Sequence, residues 1–258
     1  MKFKTQVILA PYTTFKIGGP ADYFFEAKTK LELIGAVKKA KSQNLPYKIL
    51  GHGSNVLIAD SGFRGLVIKN STSKIKLLPN NQAELESGVF LPKAIFYLIN
   101  HGLTGLELFS GIPATIGGAT AVRMHGVGRL WEEFIVKVNQ FEDVITSVIV
   151  QLEAGNPQLA LAKAKAIQAK KQHQPQISTG CIWKNIKHQS TGAIIDKQLG
   201  LKGKQIGQAQ ISPQHANFIV NLGGATAQDV LALINLTQKE AKAKLNLDLE
   251  LEIEIWPS

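Results

Sequence analysis

The chain has 258 residues, 45% hydrophobic and 19% charged, a balance that supports a buried core and excludes a disordered or fibrous protein. Its formal charge of +10 comes mainly from lysines spread over helix-like stretches such as AVKKAKSQ, with no aromatic-interleaved basic motif. Solvated helix faces and attraction of small anions therefore account for the charge better than nucleic-acid binding. A single cysteine excludes an intramolecular disulfide, no window approaches the ~20 apolar residues of a membrane helix, and MKFKTQVILAPYTTF lacks the apolar stretch of a signal peptide. A cytoplasmic protein is expected, and the length leads us to expect two or three subdomains.

In chain order the first elements read β-α-β. DYFFEAKT is a short strand, and KLELIGAVKKAKSQ carries Leu31, Ile34, Val37 and Ala40 at helical spacing. PYKILGHGSNVLIA is a strand interrupted by a turn and resumed, and GLVIKN is another strand. AELESGVF and LPKAIFYLINHGL give a strand and a helix with Pro92 at the helix start. VITSVIVQLEA is a β run, and the helix over 157–174 is stopped by Pro175, the natural boundary. Beyond it, CIWKN, GQAQIS and NFIVN read as strands and GAIIDKQLG as a helix. TAQDVLALINLTQKEAKAKLN is a long helix with Thr226 as N-cap and Asp229 three residues on, an acidic capping box. LDLELEIEIW alternates apolar and acidic residues, as a strand with one polar face does.

Two glycine-rich loops punctuate this pattern. LGHGSNVLI places Gly51, Gly53, Ser54 and Asn55 between apolar half-strands, where backbone amides can turn toward an anion; a plain strand-to-strand turn uses the same residues. SGIPATIGGAT is too apolar for a solvated loop and suits backbone packed against a flat or phosphorylated ligand. Neither loop has the strand–GxGxxG–helix order of a dinucleotide fold or a Walker lysine. Together they suit a nucleotide cofactor. The only cysteine lies in STGCIWKN, whose polar neighbours leave two readings open: a small buried hydrophobe, or a proton donor held in a site.

Read in order, these segments resemble the UDP-N-acetylenolpyruvoylglucosamine reductase family. YTTFKIGGPADYF looks like its opening, LGHGSNVLIADSGFRGLVI like its first flavin loop, and GLTGLELFSGIPATIGGA like its second. STGCIWKN matches its substrate-domain signature, GAIIDKQLGLKGKQIGQAQISPQHANFIVN the following segment, and ATAQDVLALI and LDLELEIEI the end. The resemblance implies an α+β fold: a two-part FAD-binding domain of the PCMH type (1–66 and 67–175), then a smaller α/β substrate-binding domain (176–258). It implies tightly but non-covalently bound FAD, NADPH as co-substrate, a UDP-sugar substrate, no metal, no nucleic-acid or membrane partner, and a monomer. Hydride passes from NADPH to flavin and then to the enolpyruvyl carbon C3, and C2 needs a proton. Cofactor contacts fall on Gly51, Gly53, Ser54, Asn55, Val56, Gly111, Ile112, Thr115, Gly117 and Gly118. Substrate contacts fall on Asn185, Lys202 and His215.

The resemblance places Cys181 where the family has the serine that protonates C2. A thiol, with a pKa near ~8.5, is the stronger acid. It also places the family's catalytic glutamate at Glu252, with Glu250 as the fallback, since Asp248, Glu250, Glu252 and Glu254 all alternate to one side. The chain departs from the family where a Tyr-Arg-Ser segment is expected: GRLWEEFIVKVNQFEDVITSV passes without one, and RMHGVG replaces an N-A-G-A-Y-G. Arg123 or Arg129 is then the expected replacement cation, Arg123 the first choice. Two alternatives stay open: an FAD-binding oxidoreductase of the same fold with another substrate, and a flavoprotein that has lost catalysis.

Overall fold

The computed structural model of the chain describes residues 1–126, 128–171, 173–186 and 189–257. Residue 172, inside the helix expected over 157–174, and residue 127, inside RMHGVG, lie outside them. The fold is α+β, with mainly antiparallel sheets and separate helices. Its residues gather into two compact units that interleave in sequence: Met1–Phe3, Phe24–His52 and Leu66–His173 form one, Lys4–Tyr23, Gly53–Gly65 and Gln174–Ser258 the other. These differ from the three ranges read from the sequence, because short early segments belong with the C-terminal one.

In the first unit, the helix Lys30–Ser42 starts at a reciprocal capping box of Thr29 and Glu32. It buries Leu33, Ala36, Val37 and Ala40 against Leu66 and Ile68. The sequence reading aimed this helix by Leu31, but Leu31 is 82% exposed and the buried stripe runs through Leu33 and Ala36 instead. Two alanines on that stripe permit close approach, which the larger residues do not. The strand Tyr47–Leu50 pairs in parallel with residues 66–69. An antiparallel sheet runs in the order Ile75–Leu78, Gln82–Glu86, Val144–Gln151, Ile135–Phe141. With the helices Leu91–Asn100 and Pro157–Lys171 it encloses a core that includes Leu85, Ile95, Phe109, Trp131 and Val148.

The second unit holds the antiparallel sheet Ser178–Cys181, Phe218–Asn221, Ala209–Ile211, Gln205–Ile206 in that order. The helix Ala227–Leu245 packs on it through Val230, Leu233 and Ile234. Its capping box of Thr226 and Asp229 is as read from the sequence, and Asn246 closes it in a left-handed conformation at φ 52°. A second carboxylate also caps this helix: Asp60 accepts the amides of Ala227 at 2.8 Å and Gln228 at 3.1 Å.

Three expected elements differ. The strand read as CIWKN lies earlier, at Ser178–Cys181, and within the rest of CIWKN Trp183 forms an isolated bridge, to Leu251. GAIIDKQLG is one α-helical turn, Thr191–Ala193, followed by a π-helical turn, Ile194–Gln198. LDLELEIEIW keeps its alternation, with Leu249 and Ile253 buried and Glu250 and Glu252 exposed, but only Glu254–Trp256 is a regular strand. The alternating segment serves two partners in turn. Lys184 N donates to Glu250 O and Glu252 N to Ile182 O, after which Glu254–Trp256 pairs in parallel with Val56–Ile58. The two halves of PYKILGHGSNVLIA likewise pair with different strands.

Candidate active site

In the first unit, the second glycine-rich loop ends in a short helix, Ile116–Ala121, that the sequence reading did not contain. Thr115 is its N-cap and accepts the Gly118 amide at 3.2 Å. The loop is pinned from below: Ile116 N donates to Val89 O at 2.9 Å, Gly117 N to Ser87 O at 2.8 Å and Leu91 N to Ala114 O at 2.8 Å. Adjacent glycines here have different reasons to lack a side chain. A Cβ on Gly117 would lie 2.8 Å from Ser87 Cβ, so the fold itself excludes one. Gly118 is exposed, and a Cβ there would meet only the oxygen of its own cap at 3.2 Å. Gly111 and Ile112 are half-buried on the approach to this turn.

The first loop begins in the same unit. The carbonyl of Gly51 accepts a hydrogen bond from the Lys69 ammonium, and the centroid of the His52 ring lies 4.8 Å from that of Phe90. A Cβ on Gly51 would stand 2.5 Å from Thr115 Oγ1, which puts the start of the first loop in direct contact with the cap of the second. From Gly53 the chain belongs to the other unit. Gly53 has φ 72°, and its carbonyl accepts Thr14 N at 3.1 Å. Among the described residues, the amides of Gly53, Ser54 and Asn55 donate to no other backbone group. Val56 opens the buried strand that follows.

Cys181 ends the strand Ser178–Cys181, and it is half-buried. Between Ser178, opposite Val220, and Cys181, opposite Phe218, the strand has one residue too many for its partner, and Gly180 absorbs the bulge at φ 80°. Such a bulge re-aims the side chain after it. The next peptides are fixed by Asn217, 2% exposed: its carbonyl accepts Ile182 N at 2.8 Å, its Oδ1 accepts Trp183 N at 3.0 Å and its Nδ2 donates to Trp183 O at 2.8 Å. Thr14 holds the other end, donating to Ser178 O at 2.7 Å. Neither Asn217 nor Thr14 was a sequence candidate; HANF and YTTF gave only turn-forming polar residues as a signal.

Glu252 is exposed, and its peptide joins the parts: its N donates to Ile182 O at 2.8 Å and its carbonyl accepts Asn55 Nδ2 at 3.3 Å. The residue after Cys181, the last-strand acid and the first glycine loop are thus bonded together. Glu250 pairs its carboxylate with Lys184 at 3.2 Å.

The three substrate candidates form a second group. Asn185 Oδ1 accepts Thr191 N at 3.1 Å, and a Cβ on the next residue, Gly192, would lie 3.3 Å from the His215 ring. His215 is half-buried against Phe218, ring centroids 4.8 Å apart, and its Nδ1 accepts Asn217 N at 3.3 Å. Burial, and then the Lys202 charge, hold its pKa below the ordinary histidine value. Lys202 is exposed and paired with Asp196 at 3.0 Å. The replacement cations are engaged: Arg123, with φ 50°, is gripped by both carboxylate oxygens of Glu132, and Arg129 pairs with Glu133. Among the described residues, no group of His, Cys, Asp and Glu could hold a metal, and no helix is long and apolar enough to cross a membrane.

Comparison with known proteins agrees over both units. Residues 21–156 match the model of an FAD-binding domain, and residues 172–256 that of the UDP-N-acetylenolpyruvoylglucosamine reductase C-terminal domain. The UDP-N-acetylenolpyruvoylglucosamine reductase of Lactobacillus acidophilus is 34% identical over 93% of this chain and 90% of its own. That of Chlamydia muridarum is 38% identical over 92% and 88%. The crystal structure of UDP-N-acetylenolpyruvylglucosamine reductase from Thermus caldophilus matches with a TM-score of 0.85 at 32% identity, covering all of both chains.

Proposed function

Because the chain belongs to the UDP-N-acetylenolpyruvoylglucosamine reductase family, we infer that it is the FAD-dependent reductase that converts UDP-N-acetylglucosamine enolpyruvate to UDP-N-acetylmuramate with NADPH. The residues present fit the cofactor. Among the described residues the amides of Gly53, Ser54 and Asn55 donate to no backbone group, and Gly118 leaves an exposed, side-chain-free surface at the second loop. Gly51, Gly53, Ser54, Asn55 and Val56 from one loop, with Gly111, Ile112, Thr115, Gly117 and Gly118 from the other, would hold FAD. Bound FAD supplies the hydride, taken from NADPH and delivered to C3 of the enolpyruvyl group.

The observation that carries the reading of the residues is the bonding of Glu252 to both Asn55 and Ile182, because it joins a cofactor loop to the cysteine strand. On this reading the Cys181 thiol gives its proton to C2 as the hydride arrives at C3, and the thiolate is reprotonated from solvent. Glu252 orients that donor and assists its reprotonation. Asn185, Lys202 and His215 bind the UDP-sugar, Lys202 contributing positive charge for its diphosphate. Arg123 balances the substrate carboxylate, for which it must exchange Glu132 for the substrate. The parts 1–66 and 67–175 serve the cofactor and 176–258 the substrate, and the enzyme works as a cytoplasmic monomer in peptidoglycan precursor synthesis.

The test is a spectrum followed by turnover. Purified protein should show flavin absorbance that NADPH bleaches and the enolpyruvyl substrate restores. A protein that NADPH bleaches but that substrate does not restore would overturn the assignment of the substrate residues.

A further inference from the structure

Lys69 and Asn70 are consecutive at the end of the strand Phe63–Asn70, so their side chains leave it in opposite directions. Lys69, half-buried, donates its ammonium hydrogen to the carbonyl of Gly51 at the start of the first glycine loop. Asn70, 4% exposed, reaches the other way and donates from Nδ2 to Ser87 Oγ at 2.8 Å. Its Oδ1 accepts both N and Oγ1 of Thr72, at 3.2 and 2.9 Å, and Thr72 Oγ1 accepts Gly88 N at 2.9 Å. The turn so fixed is the one whose Ser87 carbonyl receives Gly117 of the second loop. Gly51 also touches the second loop, since a Cβ on it would reach Thr115 Oγ1 at 2.5 Å. A shift at either anchor is therefore passed to the other loop.

We propose that Lys69 and Asn70 are positioning residues that set Gly51, at the start of the first glycine-rich loop, against the second loop and thereby shape the part of the FAD site that lies in the first unit. The inference rests on FAD binding by these loops. Other roles account poorly for the pair. A lysine serving solubility keeps its head in water, whereas burial holds the Lys69 pKa below the usual lysine value, with the Glu26 charge opposing. A buried asparagine that bonds three groups in two different turns specifies a geometry that an apolar residue could not.

The experiment compares Lys69→Met, Lys69→Arg, Asn70→Ala and Asn70→Asp with the unaltered enzyme. FAD affinity is titrated on flavin-stripped protein, the visible flavin spectrum is taken on the holoenzyme, and unfolding is followed without FAD. We expect Lys69→Met and Asn70→Ala each to weaken FAD binding by tenfold or more and to alter the fine structure of the visible band. The flavin-free unfolding temperature should stay within about 3 °C, the shift expected from ~1 kcal/mol in a chain of this size. Lys69→Arg and Asn70→Asp keep a donor and an acceptor respectively, and should recover most of the affinity. Affinities within about threefold of the original for both truncations (under ~0.7 kcal/mol) would overturn the proposal. So would affinity lost only in step with stability, without rescue by the conservative variants. If Asn70→Ala does not fold, Lys69→Met and Asn70→Asp decide. Failure of the unaltered stripped protein to take up FAD would refute the cofactor reading itself, a separate result.

Discussion

The loop SGIPATIGG and the segment STGCIWKN share a composition of glycine, hydroxyl residues and isolated apolar side chains, yet they offer a ligand different atoms. In the loop, the amides of Ile116 and Gly117 are consumed by Val89 and Ser87, and what remains exposed at its end is Gly118, with no side chain. In the segment, the amides of Ile182, Trp183 and Lys184 are likewise consumed, by Asn217 and Glu250, but Cys181 and Asn185 carry polar side chains that are half-buried and exposed respectively. On the proposed reading, the first is a surface against which the cofactor lies and the second a row of groups that act on substrate. Binding and chemistry should therefore be separable by mutation.

The largest effect expected is at Cys181. Cys181→Ala should leave flavin binding and reduction by NADPH unchanged, while reoxidation by the enolpyruvyl substrate slows by about a hundredfold to ten-thousandfold, the usual worth of a positioned acid. Cys181→Ser should restore much of it. Stopped-flow flavin absorbance reads both steps, and equal reoxidation rates for the alanine variant and the original would make Cys181 a packing residue. Next comes Arg123. Arg123→Ala should lower kcat/KM by about a hundredfold, since one charge-stabilising donor is worth that much, whereas loss of the exposed ion pair with Glu132 should leave stability nearly unchanged. A rate within about threefold of the original moves the role to another cation.

Within the loop, two neighbouring glycines provide a sharper contrast. Gly118→Leu should fold normally and lose flavin affinity by at least about tenfold, or ~1.4 kcal/mol. Gly117→Leu should collide with Ser87 and lower stability by ~1–3 kcal/mol. Thermal unfolding beside FAD titration separates them, and identical behaviour of the two variants would erase the distinction. The smallest effect concerns His215. Its folded-state pKa lies below the unfolded value of about 6.5, so the unfolded chain gains its proton first as pH falls. The stability tied to the neutral ring is full above that value and erodes below it. The unfolding temperature of the original should thus fall toward that of His215→Gln between about pH 7.5 and 5.5; a constant difference contradicts the assignment.

What the sequence made legible was local and periodic. The helix Ala227–Leu245 carries its own start in Thr226 and Asp229, and Leu91–Asn100 carries its proline. Strands without a clear apolar face escaped: Lys4–Ile8 and Ile135–Phe141 are exposed or half-buried along their whole length, so neither shows the alternation that marks a strand. The acidic alternation before Trp256 was visible, but not that it would serve two partners, because pairing depends on residues nearly two hundred positions away. The same holds for the site. Cys181 and the glycine loops stand out as local motifs, while Asn70, Ser87, Asn217 and Thr14 act through hydrogen bonds to residues distant in sequence, which leave no periodic trace.

The interleaving of the two units bears on how the protein is made. The core of the second unit packs Phe15, Ile17 and Leu57 with Trp183, Ile219, Leu233 and Ile253. On the ribosome the first three emerge long before the last four exist. During most of synthesis they are apolar surface without a partner, open to chaperones and to self-association. The first unit, complete at His173, can form while the chain is still attached. The second can close only once the final strand is released, so a nascent chain stalled before residue 250 should already resist protease in one unit and be cut freely in the other.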